Sequence, residues 1–167
     1  MKSDRKYKNY FTTAVVCSLS VLLSDCRNSN TKVNADSNME EAKKAIAASN
    51  AVYFESFVKN DSSIFIERYA KDACIMAPGA PKACGHKEVA KFFRSAYNEY
   101  GLRNGKFITA ELYGDALEFV TEEGVWQSFN AKGEMFDNGK YLVLWKKTPD
   151  GWKMFRDSFS SSALVKP

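Results

Sequence analysis

Apolar residues recur at helical spacing in the first half of the chain and at alternate positions in the second, so the pattern predicts helices followed by strands. Ile46, Asn50, Tyr53 and Phe57 fall on one stripe of a helix that Ser37 or Asn38 can cap. Glu40 and Glu41 occupy its first turn, where the positive end of the helix dipole favours them. The helix is expected to run to about Lys59 and break at Asn60-Asp61, with Asp61 capping a short second helix. Residues 73–77 read as a short apolar strand, closed by the turn-forming Pro78-Gly79-Ala80-Pro81. A third helix opens at Gly85-His86-Lys87-Glu88, carries Val89, Phe92, Phe93, Ala96 and Tyr97 on its apolar face, and stops at Gly101.

From there the period is two. Strands are expected over 106–113, 116–129, 134–147 and 152–161, joined by turns at Gly114-Asp115, Asn130-Ala131-Lys132-Gly133 and Pro149-Asp150-Gly151. Glu122-Glu123-Gly124 interrupts the alternation, as a bulge does. Helices first and long hairpins after predict an α+β domain, a curved antiparallel sheet wrapped around three helices. In the closing strand, two-residue spacing puts Phe155, Asp157 and Phe159 on one face and Trp152, Met154, Arg156 and Ser158 on the other. A carboxylate between two phenylalanines is paired or working, because burying an unpaired charge is costly.

The N-terminal pattern differs from the rest. Lys2, Arg5, Lys6 and Lys8 precede a mostly apolar run from Tyr10 to Leu23, the layout of a secretory signal peptide over residues 1–25. The run is too short and too polar for a comfortable membrane span. Leu23-Ser24-Asp25-Cys26 resembles the lipobox of bacterial lipoproteins, which implies lipidation of Cys26; Asp25 departs from the small residue usual in that motif. Residues 26–38 read as a polar, disordered tether and 39–163 as one domain, expected on the periplasmic side of the cell envelope.

Charge and cysteines narrow the partners. The formal net charge is +4, and it falls to +2 without residues 1–25, with the basic residues scattered. That excludes nucleic-acid binding. With a single histidine and a Cys74-x9-Cys84 spacing, no metal site is expected, and no cofactor motif is present. Cys74 and Cys84 are expected to be reduced and buried, with a disulfide as the alternative in an oxidising compartment.

The order of elements resembles the nuclear transport factor 2-like superfamily, which includes the ketosteroid isomerases and SnoaL-like proteins. Phe57-Val58-Lys59-Asn60-Asp61 is similar to its helix-to-helix junction, and Tyr69-Ala70-Lys71-Asp72-Ala73 to its lead into the first strand. Pro78 with Gly85-His86-Lys87-Glu88-Val89 resembles its loop and third helix. Gly139-Lys140-Tyr141-Leu142-Val143-Leu144-Trp145 followed by Asp150-Gly151-Trp152-Lys153 resembles its final hairpin. The resemblance implies a cone-shaped cavity between sheet and helices, and a homodimer formed through the convex sheet face.

It also implies what should be catalytic. The isomerase branch uses a carboxylate base just before the proline that follows the first strand, and Ala77 stands there, preceded by Met76. Asp157 is the remaining acid. It is either an exposed strand residue, paired with Arg68, Lys140 or Lys153, or a pocket acid of raised pKa hydrogen-bonded by Tyr53, Asn50 or Tyr141. His86 reads as a cap or a solvent-exposed ring, and Trp126, Trp145 and Trp152 as packing residues. The reading is a domain that binds a small, largely apolar molecule through Asn50, Tyr53, Met76, Trp126, Tyr141, Asp157 and Phe159. A SnoaL-like enzyme using Asp157 for proton transfer and a homodimeric interaction domain are the alternatives.

Overall fold

The computed structural model describes the backbone of residues 25–163, and side-chain surroundings from Asp36 onward. The expected signal peptide and the Cys26 side chain lie outside those limits. The first helix, α1 (Asp25–Tyr53), covers the stretch expected to be a disordered tether. Nothing between Asp25 and Tyr53 interrupts it, since that segment holds neither proline nor glycine. Ala42, Ile46, Ser49 and Tyr53 form its buried stripe, with Asn50 half-buried at the edge.

The helix does not continue to Lys59. It breaks at Phe54 and resumes as α2 (Glu55–Lys59), ended by Asn60 in the left-handed region at φ 52°. Asp61 caps α3 (Ser62–Ile66) as expected, its carboxylate accepting the Ser63 N–H at 2.8 Å. These short helices deliver Phe57 and Phe65 into the core, where Phe57 lies 4.7 Å (ring centroids) from Phe93 of α4 (His86–Asn98).

Six strands form one sheet: β1 (Tyr69–Met76), β2 (Ala83–Cys84), β3 (Asn104–Gly114), β4 (Phe119–Phe129), β5 (Met135–Thr148) and β6 (Gly151–Ser161). Their order is β2-β1-β6-β5-β4-β3. The expectation of a wholly antiparallel sheet is corrected at one pair, because β1 runs parallel to β6. That pairing needs a long crossover, and α4 with the four intervening strands supplies it.

The short β2 strand brings Cys84 directly opposite Cys74, Cα atoms 4.1 Å apart, and the two sulfurs are bonded. The expectation of two reduced cysteines is thus wrong. Spacing along the chain gave no sign that the residues after the Pro78–Pro81 loop fold back as a strand.

Two bulges set which side chains face inward. Thr109 pairs with Gly124 and Glu111 with Glu123, so Ala110 of β3 is the extra residue opposite the expected irregularity. In β6, Leu144 pairs with Arg156 and Trp145 with Met154, leaving Phe155 unmatched. This second bulge overturns the predicted faces. Trp152 and Met154 point inward with Asp157, while Phe155 packs outside against Phe119, under the Arg156 guanidinium at 3.6 Å. Among the described residues, no helix is long and apolar enough to cross a membrane.

Candidate functional site

The inward faces of β4 and β5 present Val120, Glu122, Gly124, Trp126 and Ser128 against Gly139, Tyr141, Val143 and Trp145. Glu122 is fully buried. It stands directly opposite Val143, and the diagonal neighbours on β5 both donate to it: Tyr141 Oη at 2.8 Å and Trp145 Nε1 at 2.9 Å. Thr109 Oγ1 of β3 donates at 2.6 Å and Asn50 Nδ2 of α1 at 2.8 Å. Four donors from three elements therefore surround one carboxylate, the arrangement that makes a buried charge tolerable without a cation. Gly124 leaves room for it. A Cβ there would lie 2.7 Å from the Tyr141 hydroxyl and would drive it off Glu122.

Asp157 stands on the other side of the same valine: Val143 pairs with Glu122 on β4 and with Asp157 on β6. Two strand spacings, about 10 Å of sheet, separate the two backbones. Asp157 is buried, yet among the described residues its only hydrogen-bond donor is Tyr69, whose hydroxyl reaches Oδ2 at 2.7 Å. Burial pushes its pKa up to about 6; the Tyr69 hydrogen bond opposes that shift and the charge of Glu122 adds to it. Burial likewise raises the phenols of Tyr53 and Tyr69, and the nearby Asp157 charge raises both further.

Asp157 faces a cavity of about 420 Å³ between the concave sheet and the helices. Tyr53 and Phe107 close one side, Trp126 and Phe159 another, with Ala77 and Pro78 from the loop after β1. Exposed Tyr100 and Phe136 border it. The rings interlock: Phe107 lies 4.8 Å from Tyr53 and 5.0 Å from Tyr141 by centroid, and Trp126 meets Phe159 edge-on at 5.9 Å.

Of the residues expected to contact a ligand, Tyr53, Trp126, Tyr141, Asp157 and Phe159 line this cavity. Asn50 and Met76 do not. Asn50 is turned to Glu122, and Met76, next along the strand from cavity-lining Ala77, lies outside the lining. None of the proposed ion pairs to Asp157 forms. Lys153 donates to the Glu67 carbonyl and Arg68 pairs with Glu67. The Tyr141 hydroxyl is committed to Glu122, although Tyr141 and Tyr53 both lie near enough to Asp157 to feel its charge. His86 is neither a cap nor free. Its Nε2 lies 3.1 Å from the Tyr69 carbonyl, which fixes Nε2 as the protonated nitrogen.

Glu122 and Tyr69 were missed. The sequence did carry a signal for the first: a break in alternation places one of two adjacent glutamates inward, but which one depends on the bulge. For Tyr69 no local signal existed, because it meets Asp157 only through the parallel β1–β6 pairing.

A cone closed by helices on one side of a curved sheet is the nuclear transport factor 2-like fold, and comparison with solved structures bears this out. The chain is similar to a ketosteroid isomerase-like protein from Erwinia carotovora atroseptica, at 22% identity and a TM-score of 0.59 over 72% of this chain and 96% of that one. An NTF2-like protein of unknown function from Shewanella oneidensis matches at 17% identity and a TM-score of 0.60, over 71% and 98%. An NTF2-like protein with a cystatin-like fold from Novosphingobium aromaticivorans matches at 15% identity and a TM-score of 0.62, over 86% and 94%. No family model and no curated protein matches the chain. At such identities the likeness fixes the fold, while function rests on the site.

Proposed function

We propose that this domain binds a small, largely apolar molecule carrying one polar group, and that Asp157 anchors that group. The observation that carries the reading is a buried carboxyl with a single protein partner, facing an aromatic cavity large enough for a small organic ligand. Proton-transfer chemistry has weaker support: Ala77 occupies the position of the isomerase base, and Glu122 is closed off behind its donors. The test is binding of the neutral fluorophore prodan, followed by its emission shift. Ala77→Trp, which fills the lining, should abolish the shift while the thermal midpoint stays within about 5 °C. Unchanged binding by a folded Ala77→Trp variant would remove the cavity from consideration.

The same proposal puts the domain in the cell envelope, anchored through a lipid on Cys26. The signal-like pattern of residues 1–25 supports this, and so does the Cys74–Cys84 disulfide, since such bonds persist in exported proteins. Labelled palmitate should enter the wild-type protein and not Cys26→Ser; equal labelling of both would exclude this anchor.

A second reading, a homodimer through the outer sheet face, is favoured by one observation. Ile108, Val125 and Leu142 are exposed on that face, and Ile108 pairs with Val125 across neighbouring strands. Val125→Lys should convert a dimer to monomer in sedimentation. A wild-type monomer at high protein concentration ends this reading.

A further inference from the structure

The charge balance of the cavity narrows the ligand class. Its lining holds two carboxylates, Asp157 and, on β5, Asp137, and no lysine, arginine or histidine. Glu122 adds a third negative group just behind Tyr141. Three cations close in sequence or sheet position are engaged elsewhere. Arg156 lies over Phe155 on the outer face, Lys153 donates to the Glu67 carbonyl, and Lys146 pairs with Asp72 at 3.1 Å.

The two buried carboxylates are not equally satisfied. Glu122 accepts four hydrogen bonds, whereas Asp157 accepts one, at Oδ2, and no described donor reaches Oδ1. A buried charge with so little compensation is expensive unless a partner arrives. The walls around it are aromatic rings, and the face of such a ring attracts a cation more strongly than a neutral group of the same shape.

We propose that the cavity selects a hydrophobic amine: an alkyl or arylalkyl ammonium whose N–H donates to Asp157 Oδ1 and whose apolar body lies among Tyr53, Phe107, Trp126 and Phe159. This rests on the binding reading above and names its ligand class. The groups facing Asp157 are Tyr69 from β1, Tyr53 from α1, Tyr141 from β5 and, beyond it, Glu122 from β4. The three phenols are held protonated by burial, so Asp157 is the group whose charge changes in mildly acidic solution.

The probes are phenylbutylamine and its isosteric alcohol, phenylbutanol, each competed against prodan. Near pH 7.5 the amine should bind at least about tenfold more tightly than the alcohol, as a charge-assisted hydrogen bond requires. That preference should shrink to about threefold or less near pH 5, and in Asp157→Asn near pH 7.5, with alcohol binding little changed. If Asp157→Asn does not fold, the pH comparison on the wild-type chain carries the test. An alcohol that binds as tightly as the amine overturns the proposal, as does a preference that survives both acid and Asp157→Asn. Displacement of prodan by neither probe also overturns it while leaving a binding cavity. Failure of prodan itself to bind removes the cavity reading with it.

Discussion

Glu122 and Asp157 flank the same valine from the strands on either side of it, yet the fold treats them in opposite ways. Glu122 is enclosed by donors from α1, β3 and β5 and has no remaining role to offer a ligand. Asp157 is held by one tyrosine and looks into a cavity. A carboxylate saturated with hydrogen bonds is a tie between layers. One left short is a site, because its unmet hydrogen-bonding capacity becomes binding free energy when a partner comes. The same residue chemistry thus separates into structure and function through the number of donors each carboxylate meets.

The largest expected effect tests the structural half. Glu122→Gln keeps the shape but replaces an acceptor oxygen by an amide NH2, which faces donors and leaves at least one unpaired. It should destabilise the domain by about 3–5 kcal/mol in urea unfolding. A loss under about 1 kcal/mol would mean the four-donor cluster is not a tie at all.

The next prediction concerns pH and has the opposite sign from ordinary acid denaturation. Asp157 has its folded pKa raised from the ordinary 3.8 to about 6 by burial. Between those values the folded state binds more protons than the unfolded one, so stability falls as pH rises from about 4 to about 6 and stays lower above. The span is roughly 2–3 kcal/mol. The wild-type chain compared with Asp157→Asn should show this slope in the difference between their unfolding free energies. A difference flat between about pH 4 and 7 would place Asp157 in a polar, solvated setting.

The smallest effect sharpens the contrast. Tyr69→Phe removes the one donor to Asp157, the interaction that restrains its pKa, so the carboxyl should titrate higher still in carbon-detected NMR. Stability should fall by only about 1 kcal/mol. A downward move of the Asp157 titration would contradict the assigned hydrogen bond.

Much of this was legible before folding was considered. Helix spacing located α4 and the stripe around Ile46 and Tyr53, and Asp61 was readable as a cap because capping is a local hydrogen bond. Four long strands followed from alternation. The errors lie where one residue changes the parity of a strand. Phe155 was placed beside Asp157, and the bulge in β6 sends it to the opposite face with Arg156. The cysteines were misjudged because β2 is only two residues long, too short for any periodic signal.

What the sequence alone determined is therefore the class of architecture and the aromatic, acidic character of the inner wall, since both arise from local periodicity and from residues within one strand or helix. Only the tertiary structure decided which acid is saturated and which is free. That difference depends on Asn50, Thr109 and Tyr69 arriving from elements far away in sequence, through a parallel strand pairing and two bulges whose registers no local pattern encodes.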